Sequence, residues 1–264
     1  MNPNVETRDL LMQNKIPAVT IFFWIIKIMA TTVGETGADF LIFNVHLGLS
    51  LTSLLAGIVL ALFLWIQLRN RKYTPWIYWI TVVLVSIFGT LITDNLVDNF
   101  GVPLTVITAI FLIALIATFV IWYACEKTLS ILTVNTHRRE LFYWTAILLT
   151  FALGTAAGDL VAEGLHLGYA VSALVFGGLI AVVGLLYYFL KSGTTLWFWI
   201  AYILTRPFGA SFGDWLSQET AKGGLGLGTV GTSGLFLVVI LALVIYLTVS
   251  KKDDSSAVSI NAAT

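Results

Sequence analysis

Apolar residues come in long blocks along this chain and do not alternate with polar ones. Eight such blocks span 17–40, 47–68, 76–96, 104–122, 142–161, 167–190, 196–216 and 229–249, with short polar segments between them. Each is long enough to cross a hydrocarbon layer about 30 Å thick as a helix. In lipid every backbone polar group must be satisfied within its own segment, so the blocks predict helices and not strands. The expected class is an all-α integral membrane protein with eight transmembrane helices. Composition agrees: of 264 residues, 58% are apolar and 11% charged, whereas soluble domains carry about 25% charged residues.

Charge adds orientation. Fourteen Lys and Arg balance fourteen Asp and Glu, which gives no reason to expect nucleic acid as a partner. Arg8, Lys15, Arg69, Arg71, Lys72, Lys127, Arg138, Arg139, Lys191, Lys251 and Lys252 fall on one side of the predicted spans, and Lys222 alone on the other. The positive-inside rule then predicts that both termini are cytoplasmic. Residues 1–15 hold both signs and precede no small-residue cleavage site, so they do not read as a signal peptide. The tail from Lys251 reads as a short polar disordered segment. A lone cysteine, Cys125, excludes an internal disulfide and any Cys-rich metal cluster.

A repeat runs through the blocks. Phe23-Trp24, Tyr78-Trp79, Tyr143-Trp144 and Phe198-Trp199 are each an aromatic followed by Trp. Ten residues after each Trp stands Gly34, Gly89, Gly154 or Gly209, and fifteen after it Asp39, Asp94, Asp159 or Asp214. The motif W-x9-G-x4-D thus occurs four times, with Trp spacings of 55, 65 and 55. Copies one and three also share His46-Leu47-Gly48 and His166-Leu167-Gly168. The expected repeats are 17–70, 72–125, 137–190 and 192–250, in a single membrane domain. Because each contains two spans, all four enter the membrane the same way up. The prediction is therefore parallel two-helix repeats, pseudo-fourfold or pseudo-twofold about the membrane normal.

On these motifs the chain resembles a bacterial family of uncharacterised membrane-anchored proteins made of four tandem two-helix repeats, each with a characteristic tryptophan. The resemblance covers roughly residues 17–250. It implies this architecture and a bacterial plasma-membrane location, and it carries no activity.

Candidate chemistry comes from the odd-numbered helices. At 100° per residue, offsets 7, 11 and 15 from each Trp fall on one stripe. The four stripes read Trp24, Thr31, Glu35, Asp39; Trp79, Ser86, Thr90, Asp94; Trp144, Phe151, Thr155, Asp159; and Trp199, Arg206, Ala210, Asp214. The glycine lies beside the stripe, where a small residue admits a neighbouring helix. Ionisable residues inside a span normally face a bundle interior or a water-filled path. One reading is therefore a transporter of a small cation, ahead of others a divalent metal such as manganese. Asp39, Asp94, Asp159 and Asp214 would capture the ion, with Glu35, Thr90 and Thr155 along the route. Carboxylate oxygens suit hard divalent ions, and His46 and His166 would add nitrogen ligands. Arg206 and Lys27 would balance charge and gate, alongside Trp24, Trp79, Trp144 and Trp199. Arg206 and Asp214 are about 12 Å apart along the axis, so the expected partner of Arg206 is Glu35 or a carboxylate of another helix.

Blander readings stand beside these. The Asp residues can cap loops, the Trp residues can form an interfacial belt, and both His can be loop residues. On that view the chain is a non-catalytic membrane scaffold or accessory subunit with structural ion pairs. An enzyme is not expected, since no H-E-x-x-H motif or Cys/His cluster supports one. The run from Gly223 to Gly228 reads as a flexible outer loop. No cofactor is implied beyond a divalent ion as substrate; the expected partners are the bilayer and that cation.

Overall fold

A computed structural model of the chain describes residues 14–190 and 192–253. Arg8 and Lys191, used above for orientation, lie outside the described residues. Among those described there are eight α-helices and no strand. They are α1 (Ile21–Asp39), α2 (Leu49–Arg69), α3 (Pro75–Asp94), α4 (Leu104–Glu126), α5 (His137–Asp159), α6 (Tyr169–Leu190), α7 (Thr194–Ser217) and α8 (Gly228–Ser250). Local signals set several ends. Pro75 opens α3 at a position where its missing N–H costs nothing. The Thr136 hydroxyl accepts from the Arg139 N–H and starts α5. Lys127 and Lys251 end α4 and α8 in the left-handed conformation. In the first three repeats, the helix bearing the Asp continues as one π-helical turn, over Phe40–Asn44, Asn95–Asn99 and Leu160–Gly164.

The odd helices form the inner layer. α1 packs on α3, α3 on α5, α5 on α7, and α7 returns to α1. The even helices lie outside, each packed mainly on the inner helix of the next repeat and not on its own hairpin mate: α2 on α3, α4 on α5, α6 on α7, α8 on α1. Consecutive repeats are thereby interlocked, and the last closes on the first.

Two contacts recur at all four inner interfaces. A Cβ added at Gly34 would land on Ser86, at Gly89 on Phe151, at Gly154 on Arg206, and at Gly209 on Thr31. Each repeated glycine therefore receives the offset-7 side chain of the next helix. Likewise Phe23 meets Trp79 (5.6 Å between ring centroids), Tyr78 meets Trp144 (5.6 Å), Tyr143 meets Trp199 (6.2 Å) and Phe198 meets Trp24 (5.7 Å). The aromatic pair before each glycine is what ties neighbouring helices at that end.

Seven helices are long and apolar enough to cross a membrane, compatible with a multi-pass membrane protein. The exception is α7, whose Arg206, Pro207, Ser211 and Asp214 lower its apolarity. All four of these side chains are buried, so the least apolar inner helix is polar toward its neighbours. The outer helices have the reverse character: Leu54, Ile113, Leu174 and Leu235 are exposed.

Two expectations about connecting segments are corrected. The glycine run 223–228 is not a flexible loop. Leu225, Gly226 and Leu227 donate their N–H groups to the carbonyls of Trp215, Gln218 and Leu216, closing the end of α7. Gly223, Gly226 and Gly228 adopt positive φ, which lets the segment fold back so tightly. At the other end, Asp253 is not part of an exposed tail. It is 2% exposed, accepts from the Tyr73 hydroxyl at 2.5 Å, and its carbonyl accepts from Ala18 N–H at 2.8 Å. Residues 254–264 lie outside the described set.

Candidate functional site

The 3.6-residue repeat of the inner helices stacks side chains in levels along the ring axis. At the basic end sit the aromatic pairs; Trp79, Trp144 and Trp199 are buried and Trp24 half-buried. This corrects the belt reading and gives no support to a gating role, since these rings hold helix to helix. Trp199 also donates its indole N–H to the Leu129 carbonyl at 2.9 Å. The Tyr78 and Tyr143 hydroxyls share a hydrogen bond of 2.6 Å, while the Tyr202 hydroxyl is buried without a hydrogen-bond partner. Burial and the neighbouring Asp253 carboxylate raise the Tyr73 phenol above its ordinary range, keeping it a donor.

The next level holds Lys27, Val82, Ile147 and Tyr202, all buried. The Lys27 Nζ lies 4.3 Å from the centre of the Phe151 ring and 4.2 Å from that of Tyr202, and has no hydrogen-bond partner. Among the described residues, the faces of two aromatic rings support its charge.

Above it lie Thr31, Ser86, Phe151 and Arg206, then Glu35, Thr90, Thr155 and Ala210. Arg206 is fully buried and its guanidinium reaches across the ring. One nitrogen donates to Glu35 Oε2 at 3.0 Å, to Thr155 Oγ1 at 2.6 Å and to Thr90 Oγ1; the other donates to the Thr31 carbonyl at 3.4 Å. The expected partner from another helix is therefore Glu35, and Thr90 also donates to that carboxylate at 3.3 Å. Thr90 and Thr155 are thus ligands of Arg206 in this state.

The four Asp residues close the stack. Asp214 is buried, and Asp39, Asp94 and Asp159 are half-buried. Carboxylate oxygens of Glu35, Asp159 and Asp214 lie within 4.8 Å of one another, close enough for one ion to bridge. Asp39 and Asp94 are not members of that group. Asp39 instead accepts from the Gln218 amide at 3.3 Å.

His46 and His166 are not brought to the acidic group. Both are exposed, with φ of 57° and 56° in the turn leading to the outer helix. The second repeat has Gly101 at the same offset, with φ 63°. The position requires a left-handed residue and not an imidazole, so the HLG signal is turn chemistry.

Several features escaped the sequence. Lys15 is buried and pairs with Glu140 at 2.6 Å, while Gln67 donates to the same carboxylate at 3.2 Å. Lys15 carried only a topological meaning in the sequence, and Glu140 none. Tyr78 and Tyr143 were flagged as the aromatic before Trp, but nothing in the spacing indicated that their hydroxyls would meet.

The architecture defines a helical protein made of four tandem copies of a two-helix unit, each supplying one inner and one outer helix. The chain belongs to the family of the Repeat of Unknown Function (DUF347), which matches residues 22–73, 77–128, 142–192 and 197–253. No curated protein and no solved structure matches it.

Proposed function

We propose that the chain is a multi-pass protein of the bacterial plasma membrane that transports a small cation, foremost a divalent one such as manganese. The repeats are arranged pseudo-fourfold about the membrane normal, with both termini cytoplasmic and the Asp end outward. The exposed apolar faces of α2, α4, α6 and α8 support the membrane setting, because surfaces of this extent are stable against lipid and not water.

The observation that carries the transport reading is the double use of Glu35. Its carboxylate belongs to the outward acidic group with Asp159 and Asp214 and is also the partner of buried Arg206. A cation held by the three carboxylates competes with the guanidinium for Glu35, so binding loosens the group that closes the axis. Oxygen-only ligands favour hard ions over softer transition metals. Protons compete for the same carboxylates, so binding weakens as pH falls.

One observation favours the scaffold alternative. Both terminal nitrogens of Arg206 are hydrogen-bonded, and aromatic side chains fill the ring below it, which also suits a closed centre with structural ion pairs. Titrating the purified protein with Mn2+, then measuring uptake into vesicles containing it, separates the two. Saturable binding lost in Asp159→Asn and Asp214→Asn, with uptake, supports transport. A folded wild-type protein that neither binds nor moves divalent or monovalent cations sinks it.

A further inference from the structure

The transport reading leaves the buried Lys27 unused. It sits between the Arg206 level and the aromatic end, beside Phe151 and Tyr202 and without a hydrogen-bond acceptor. Below it a series of phenols leads to the basic end. The Tyr202 hydroxyl is buried without a hydrogen-bond partner, Tyr143 and Tyr78 share a 2.6 Å hydrogen bond, the rings of Tyr78 and Tyr73 are 5.8 Å apart, and Tyr73 donates to Asp253 at 2.5 Å. A tryptophan or phenylalanine at these places would seal the end equally well, as Phe23 and Phe198 do in the other two repeats. Hydroxyls add one ability that phenyl rings lack: passing a proton through a packed region that excludes ions.

Resting on the transport reading, we infer that Lys27 is a proton-carrying site, and that the Tyr202–Tyr143–Tyr78 hydroxyls relay its proton to Tyr73 and Asp253, coupling cation movement to proton movement in the same direction. The Lys27 ammonium swings from the Tyr202 ring face to its oxygen and gives it a proton. Each phenol accepts one proton as it passes its own to the next, and the Asp253 carboxylate takes the last. Lys27 is left as a neutral amine, Asp253 is protonated, and every phenol is unchanged; the hydroxyls rotate back before the next transfer. Unlike an arginine, a lysine can make this change.

The charged groups around Lys27 supply the coupling. From α7 it faces Tyr202 and Arg206; α5 offers Ile147 and Phe151, and α3 Val82 and Ser86, none of them charged. On the outer side of α1, the only ionisable side chain of α8 short of Lys251 is Tyr246, which packs on Phe22. On its own helix the next charge is Glu35, which Arg206 holds. A cation that takes Glu35 leaves the Arg206 charge uncompensated, and that charge repels the Lys27 ammonium. Cation binding thereby expels the proton.

The test uses purified full-length protein in vesicles with a pH-sensitive dye inside and an imposed Mn2+ gradient. Wild type should move protons in the same direction as Mn2+, and proton movement against Mn2+ overturns the coupling. Tyr143→Phe and Tyr78→Phe, which keep the rings, should each lower both fluxes at least about tenfold while Mn2+ affinity stays within about twofold. Lys27→Arg, charged but unable to release its proton, should be as inactive in coupled proton movement as Lys27→Met. Mn2+ movement without protons in wild type overturns this inference and leaves the transport reading standing; no cation movement overturns both. Wild-type proton flux in either folded Tyr→Phe variant overturns the relay.

Discussion

The aromatic end of the inner ring and its Arg206 level are about two helical turns apart on the same four helices, yet they use the repeat in opposite ways. At the aromatic end all four copies contribute a Phe or Tyr followed by Trp, and the four ring contacts between neighbouring helices are alike. Two turns on, the equivalent positions hold Thr31, Ser86, Phe151 and Arg206, then Glu35, Thr90, Thr155 and Ala210. The shared residues close the ring. The residues that differ between copies, Lys27, Glu35 and Arg206 among them, make its centre chemically asymmetric, while Asp159 and Asp214 of the acidic group belong to the repeated motif.

The sharpest way to break that comparison is to remove the asymmetry. Arg206→Ala leaves Glu35 buried without its partner. Losing one member of a buried pair costs about 3–5 kcal/mol, so the variant should melt far below wild type in detergent. Adding Glu35→Gln should recover much of the loss, because the stranded charge is gone. If Arg206→Ala melts like wild type, the pair is not structural and the central level is loosely packed.

The shared contacts should respond differently. A Cβ at Gly89 would sit 2.7 Å from the Phe151 Cβ and 3.1 Å from the Ala152 N, atoms that cannot move aside without shifting α5. Gly89→Ala should therefore cost about 1–3 kcal/mol, as overpacking does. At Gly184 on α6 nothing lies within 4 Å, and the same change there should be neutral or stabilising by up to about 1 kcal/mol. Equal melting of the two variants would mean that the inner helices are not closely apposed.

These two outcomes bear on what a single sequence could show. The W-x9-G-x4-D spacing made the inner helices, their shared direction and the close approach at glycine legible, because each follows from helical periodicity. The Arg206–Glu35 pairing was reachable by the same arithmetic, since no carboxylate on α7 lies near enough. The interlocking of each outer helix with the next repeat was not, because it depends on which neighbour an apolar face chooses, and the apolar faces of α2, α4, α6 and α8 look alike. Nor was the selection of Asp159 and Asp214 over Asp39 and Asp94, which turns on an asymmetry of the folded ring. Asp253 misled for another reason: a short polar tail gave no hint that Tyr73 and Ala18 would hold it.

That selection gives the next test. If one ion bridges Glu35, Asp159 and Asp214, then Asp159→Asn and Asp214→Asn should each weaken Mn2+ binding about tenfold, equivalent to about 1.4 kcal/mol. Asp39→Asn should do less, since that carboxylate is engaged by Gln218. Exposed Glu219, at the same end, serves as the control in place of buried Asp253. Equal losses at Asp39, Asp94, Asp159 and Asp214 would restore the symmetric acidic ring that the sequence suggested.

The smallest effect belongs to the two histidines, and it separates the shared from the particular once more. His46 and His166 occupy a turn position at which the second repeat has Gly101, and all three adopt a left-handed backbone. A residue with a Cβ is disfavoured there by about 1–2 kcal/mol, while glycine brings back entropy that offsets about 0.5–1 kcal/mol of the gain. His46→Gly with His166→Gly should accordingly leave the melting temperature unchanged or slightly higher. Mn2+ affinity should stay within about twofold, since a lost ligand would cost tenfold or more. A tenfold fall in affinity would place an imidazole at the ion after all, and would require the turns to move toward the carboxylates when the ion binds.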